Sequence, residues 1–358
     1  MSDVQLPPIN FRGGIIRFCA ALICAGIVGC NNENRVVLYC AQDQEFAESI
    51  LKDFQAKTSL NVATHYDTEA NKSVGLFEDL IRESRKPRCD VHWNNEIIAT
   101  LLLRRRGVLA SYESPSARDF PAAFKSGDHT WTAFAARARV LILNTKLLKD
   151  RGIAEADWPK SLKDLTHARW QGEFAMSKPL AGTSATQVAC LFQAWGADKA
   201  KDWYRALKAN KTQFVLGNKQ VAEGVGQGQF LIGITDTDDA AAELSAGRPV
   251  QIVFPDKDAP AESKLGVLYI PNTVAIIKGY PNEARAKRLV DFLLSAEVEE
   301  KLAASASRQI PLNPKVSAKL PEWMVTPANA RVMPVDFDKA ADLWEEAQTF
   351  VRDELLPR

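Results

Sequence analysis

From residue 35 onward, short apolar runs alternate with longer segments whose apolar positions recur every three or four residues. VVLYCA at 36–41 is short and rich in strand formers, so it predicts a strand. In EFAESILKDFQAKT, Phe46, Ile50 and Phe54 stand four apart and share one face of a helix. NVATHYD then predicts a second strand, and SVGLFEDLIRES a helix with Leu76, Phe77, Leu80 and Ile81 turned inward. CDVHW predicts a third strand, followed by a helix in IIATLLLRRRGVL that stops near Gly107. Strand and helix in regular alternation indicate a parallel sheet with covering helices.

The pattern restarts at RVLILNTKLL (139–148), an extended run and a short helix. EFAMSKP, QFVLGN and FLIGITD predict strands. Helices are expected after GTSATQ, where Val188, Cys190, Leu191 and Trp195 point inward, and in DKAKDWYRALKAN, VAEGVGQG and DAAAELSAG. VLYIPNTVAIIKG is a long apolar segment interrupted at Pro271-Asn272, and EARAKRLVDFLLSAEVEEKLAAS supplies two more helices. A chain of 358 residues exceeds what one core usually serves, so two lobes are expected. The fold class is therefore α/β, each lobe a mixed, mostly parallel sheet flanked by helices. RVLILNT and VLYIPNTVAIIK stand where two strands would cross between lobes. The expected division is 36–137 plus 272–312 for lobe 1 and 138–271 plus 313–358 for lobe 2. Two such sheets facing each other would line one cleft with the carboxyl ends of their strands.

The first thirty residues follow another pattern. Arg12 and Arg17 precede and flank the apolar IIRFCAALICAGIVGC, the layout of a secretory leader, too short to span a bilayer permanently. Its end, Ile27-Val28-Gly29-Cys30, resembles the lipobox of bacterial lipoproteins, in which the cysteine is lipidated and becomes the new N-terminus. Residues 1–29 would then be a signal peptide and 30–35, with the polar NNENR, a lipidated tether from Cys30. A leader cleaved elsewhere and an N-terminal anchor helix broken by Arg17 are the alternatives. Loss of Asp3, Arg12 and Arg17 with the leader takes the formal charge from +1 to zero. No basic face for nucleic acid is implied. Hydrophobic residues at 46% and charged residues at 25% are those of a globular protein. Cys40, Cys89 and Cys190 are too widely spaced for a zinc site or a stapled scaffold and read as small buried hydrophobes.

Candidate chemistry gathers at the strand-to-helix junctions. These carry Asp43, Asn95 and Glu96 in the first half, and Gly182-Thr183-Ser184, Asn218 and Asp236-Thr237-Asp238-Asp239 in the second. Asp43, Asn95 and Asp236 could each cap a helix, and Asp236 with Asp239 has capping-box spacing. One cap needs only one carboxylate, however, and three this close repel unless a cation or several donors compensate. Gly182-Thr183-Ser184 opens a helix and could hold an anion on its backbone N–H groups. The four histidines have no paired spacing, no nucleophile elbow, phosphate loop or dinucleotide fingerprint is present, and Ala240 and Ala241 break any EF-hand. The chemistry indicated is binding, not catalysis. A DxD metal-dependent transferase at Asp236-Thr237-Asp238 is the enzymatic alternative.

Between Val36 and Pro314 the chain resembles the periplasmic ferric-ion-binding proteins of ABC importers. VVLYCAQDQEFAESILKDFQAKTSLNV, PRCDVHWNNE, RARVLILNTKLL, WQGEFAMSKPLAGTSATQVA, GNKQVAEGVGQGQFLIG, PNTVAIIKG and RQIPLNPKV are similar to stretches in that family, in the same order. The resemblance implies a periplasmic-binding-protein fold and a monomer on the periplasmic or extracellular face, where the lipobox-like segment would anchor it by lipid at Cys30. It would deliver a small solute to an ABC transporter permease and require no cofactor. The family's tyrosine pair falls at Asp238 and Asp239, its histidine near Asp43 and its glutamate at Asn95 or Glu96, whereas Gly182, Thr183 and Asn218 match its anion-holding positions. Asp238 and Asp239 are thus the expected ligands of any bound metal ion, Fe(III) or another hard cation, with or without an anion. An organic cation or an aminoalkyl phosphonate, its amine at the aspartates and its phosphonate at Gly182 to Ser184, is the alternative solute.

Overall fold

The computed structural model describes residues 34–67, 75–280 and 282–356. The leader at 1–29 and Cys30 therefore lie outside the described residues, within which no helix is long and apolar enough to cross a membrane. The strands are β1 (Arg35–Cys40), β2 (Asn61–Tyr66), β3 (Val91–Asn94), β4 (Leu109–Ala110), β5 (Thr132–Asn144), β6 (Phe174–Ser177), β7 (Gln213–Val215), β8 (Ile232–Asp236), β9 (Val250–Val253) and β10 (Tyr269–Ile277). Helices α1 (Gln44–Thr58), α2 (Gly75–Arg82) and α3 (Ile97–Arg105) cover the first sheet. The second carries α4 (Thr145–Asp150), α5 (Gly182–Trp195), α6 (Ala197–Ala209), α7 (Asn218–Gly226) and α8 (Thr237–Ser245). The chain ends through α9 (Glu283–Leu293), α10 (Ala296–Ala304), α11 (Phe337–Asp342) and α12 (Trp344–Phe350).

The strands follow the path β2-β1-β3-β10-β5-β8-β6-β7, with β4 on β10 and β9 on β5. β1 is parallel to β2 and β3, and β6 is parallel to β7 and β8. β10 runs antiparallel to both β3 and β5, so the sheet is mixed. β5 is the shared member: its first half, up to Ala138, pairs with β10, and from Arg139 onward it pairs with β8 and β9. All thirteen of its residues are buried. The strand starts seven residues before the expected RVLILNT, at Thr132. Two arginines inside TAFAARARVLILN break the apolar run and conceal its length.

The shared strand carries a bulge at Ala135, where the register against β10 shifts between Pro271 and Asn272. Ala135 sits in the left-handed region at φ 42, a conformation a non-glycine residue holds only when its surroundings fix it. They do: the Glu299 carboxylate accepts the Ala135 N–H, and the Asn272 side-chain amide donates to the Ala135 carbonyl. Glu299 also accepts from the N–H groups of Leu312 and Asn313, tying the segment after α10 to the bulge. The interior packs on either side of β5, with Leu38, Val91, Trp93 and Phe134 buried on one side and Val140, Ile142, Met176 and Phe192 on the other. Cys40, Cys89 and Cys190 are free and buried, as expected of small hydrophobes. α11 packs against both α3 and α5, so the last segment touches helices of both sheets.

Candidate functional site

β6 and β8 are parallel neighbours, so the turns that follow them open at the same end of the second sheet. Ser177 ends β6, Gly182, Thr183 and Ser184 begin α5, Asn218 begins α7, and Asp236 ends β8. β5 runs antiparallel to β8 in a register that sets Arg139 opposite Asp236. Side chains two apart on a strand share a face, so Arg137 lies on the same side.

Asp236 is the hub. Its Oδ1 accepts from Arg139 Nη1 at 2.8 Å, and its Oδ2 from Thr183 Oγ1 at 2.5 Å, Asn218 Nδ2 at 3.1 Å and Arg137 Nη1 at 3.5 Å. Arg139 also donates from Nη1 to Asn218 Oδ1 at 3.1 Å and from Nε to Gln187 Oε1 at 2.9 Å. The hydroxyls of Ser177 and Ser184 donate to Asn218 Oδ1 at 2.9 and 3.1 Å. Both Arg139 and Asp236 are only 1% exposed. Burial pushes the Asp236 carboxyl up, but Arg139 and Arg137 outweigh it and hold the group below the ordinary carboxylate range.

Arg137 joins the aspartates to the first sheet. Its Nη1 lies 3.7 Å from Asp238 Oδ2, and its Nη2 donates to the backbone carbonyl of Asn95. Burial lowers this guanidinium's proton affinity, while Asp238, Asp236, Asp43 and Asp239 more than restore it, so all four carboxylates act on it. Asp236, Asp238 and Asp239 each present an oxygen within 4.8 Å of the other two. Asp239 is half-buried and accepts from Thr235 Oγ1 at 3.4 Å.

The capping expectations need correction. Asp43 and Asp236 occupy N-cap positions, yet neither side chain makes a capping bond, because the Asp236 carboxylate is taken by the arginines, Thr183 and Asn218. Asn95 is not the cap of α3; Glu96 is, accepting the N–H groups of Ile98 at 2.7 Å and Ala99 at 2.8 Å. Gly182 has a φ of 58, and the space its missing Cβ would face is open within 4 Å. The structure therefore gathers Thr183, Ser184, Asn218, Asp236, Asp238 and Asp239 into one cluster, reached from the first sheet through Asn95 and, electrostatically, Asp43. Sequence reasoning missed Arg137, Arg139, Ser177 and Gln187. The available signal was a pair of arginines at alternate positions inside an apolar strand, which only a buried acidic partner makes tolerable.

Two mixed sheets that share a strand, with polar side chains converging where strands end and helices begin, define a protein built to hold a ligand. Residues 101–341 match the family described as bacterial extracellular solute-binding protein, and the chain belongs to that family. A Haemophilus influenzae protein described as uncharacterized is 28% identical over 327 residues, covering 89% of this chain and 90% of its own. The Fe(3+)-binding periplasmic protein of Serratia marcescens is 25% identical over 227 residues, 63% of this chain and 64% of its own. Among solved structures, the periplasmic binding protein AfuA of Actinobacillus pleuropneumoniae, with exogenous fructose-6-phosphate bound, superposes with a TM-score of 0.76. It is 26% identical and covers 90% of this chain and 98% of its own. The named relatives and structural neighbours are binding proteins, not enzymes.

Proposed function

We propose that the chain is a lipid-anchored extracytoplasmic receptor of an ABC import system that closes on a small organic solute and hands it to a membrane permease. In this reading residues 1–29 are the leader, Cys30 carries the lipid and 30–35 form the tether. The lobes are 36–137 plus 272–312 and 138–271 plus 313–358, and the solute lies between them. Contacts made only in the closed form bias the hinge, so no covalent step is required.

The observation that carries the choice of solute is the buried pairing of Arg137 and Arg139 with Asp236 and Asp238. Two guanidiniums already offset most of the charge of three carboxylates. What is left suits an ammonium or a group rich in hydroxyl donors better than a highly charged hard cation such as Fe(III). The open approach to Gly182, with the first N–H groups of α5 behind it, supports an anionic end such as a phosphonate or phosphate. A solute with its cationic or hydroxylated end at Asp238 and Asp239 and its anionic end at Gly182 to Ser184 satisfies both halves, Asp43 and Asn218 flanking it. The second reading, a hard cation on the aspartates, draws support from their mutual 4.8 Å spacing and from the iron-binding relative in Serratia marcescens.

Thermal unfolding with 2-aminoethylphosphonate, fructose 6-phosphate and ferric citrate separates the two. Saturating 2-aminoethylphosphonate or fructose 6-phosphate should raise the midpoint, ferric citrate should not, and Asp238→Ala with Asp239→Ala should abolish the rise. A rise with ferric citrate alone, together with iron in protein purified without chelator, would establish the cation reading instead. Cys30→Ser should free the protein from membranes, and persistent association would show that another segment anchors it.

A further inference from the structure

The resemblance places Glu96 among the ligand-bearing residues, but its carboxylate is already saturated. Oε1 accepts from Ala99 N at 2.8 Å and Asn94 Nδ2 at 3.3 Å; Oε2 accepts from Ile98 N at 2.7 Å and Thr186 Oγ1 at 2.7 Å. A carboxylate offers about four lone-pair sites, and here each has a donor. Glu96 is only 3% exposed and Thr186 wholly buried. Three of the four donors belong to the same corner as Glu96. The fourth, Thr186, sits 90 residues away on α5, a helix of the second sheet.

That bond closes a continuous buried chain of polar contacts. Thr273 on β10 meets Thr100 on α3 at 2.7 Å, Asn94 on β3 donates to Thr100 at 3.2 Å and to Glu96, and Glu96 accepts from Thr186. Beside it, Arg137 on the shared strand reaches the Asn95 carbonyl on one side and Asp236 and Asp238 on the other. At the far end of α3, Arg104 and Arg105 meet Asp338 and Asp342 of α11 at 3.1 and 2.9 Å, but these pairs are solvent-exposed and contribute little. The two buried links, Thr186 to Glu96 and Arg137 between Asn95 and the aspartates, are therefore the strong ones across the two sheets, because a hydrogen bond out of water exceeds an exposed ion pair.

We infer that Glu96 is not a solute ligand but the latch of the closed form, and that the Thr186 hydroxyl holds α3 against α5 through it. The inference rests on the reading of the chain as a hinged binding protein. It makes closure partly independent of the solute: the latch favours the closed arrangement whatever lies at the aspartates, and the solute adds to it. Removing the latch should therefore weaken all solutes by a similar factor, whereas changing Asp238 or Asp239 should alter their ranking.

The test needs no solute. Thr186→Val keeps the shape and deletes the donor, leaving the caps on Ile98 and Ala99 intact; Thr186→Ser keeps the hydroxyl. In solution scattering of the full chain, Thr186→Val should show a larger radius of gyration than the wild type. Amide hydrogen exchange on the facing turns of α3 and α5 should quicken about tenfold or more, with the Ile98 and Ala99 amides still protected. Thr186→Ser should return both readings to wild-type values. An unchanged radius with unchanged protection in Thr186→Val overturns the latch, as does a serine variant that behaves like the valine one. Because neither measurement involves 2-aminoethylphosphonate or iron, failure to find a solute leaves the latch standing, and failure of the latch leaves solute binding standing.

Discussion

Asp236 receives hydrogen bonds from side chains of β5, α5 and α7 and has no contact with solvent to fall back on. Truncating it would strand two guanidiniums in the interior, the costly way to break a buried pair. Asp236→Ala should therefore lose about 3–5 kcal/mol in urea unfolding, while Asp239→Ala, at a half-buried position, should lose less than about 1 kcal/mol. Equal midpoints for the two variants would show that the Asp236 network does not hold the fold. The aspartates were legible because three acids in four residues are conspicuous in any sequence. Their partners were not, since Arg137 and Arg139 stand about a hundred residues away and only the antiparallel register of β5 and β8 sets them opposite.

β3 lies between β1 and β10, and that central position governs His92. The ring is buried, with Nδ1 3.0 Å from the Tyr39 carbonyl. Burial pushes its pKa down to about 4 from 6.5, against the opposing pull of that carbonyl. Between these values the unfolded chain takes a proton that the folded one refuses. Its stabilising effect is thus complete above pH 6.5 and is lost as pH falls towards 4, a difference of about 3 kcal/mol. Unfolding midpoints of the wild type should drop from pH 7 to pH 4.5 more steeply than those of His92→Asn, which cannot titrate; parallel curves would remove His92 as the cause. At this scale most elements were readable from apolar spacing. β5 was under-read because buried arginines look polar in a sequence, and the Ala135 bulge was invisible because its supports, Glu299 and Asn272, come from distant segments.

For the molecule as a whole, the continuous β5 means that neither sheet can unravel without exposing half of a fully buried strand. The chain should consequently unfold in one cooperative step, with calorimetric and near-ultraviolet transitions coinciding. Two separated transitions would show that the sheets are energetically independent. α11, packed on both α3 and α5, works in the same direction.

The sequence by itself determined the alternation of strands and helices, the α/β class and the stretch holding Asp236, Asp238 and Asp239, because apolar periodicity and local crowding are properties of neighbours along the chain. Only the tertiary structure decided what compensates those acids, that Glu96 rather than Asn95 caps α3, and that Thr186 reaches it from the other sheet. Each of these depends on which strands pair and in what register, and a buried charge chooses its partner by proximity in space, where sequence separation carries no weight.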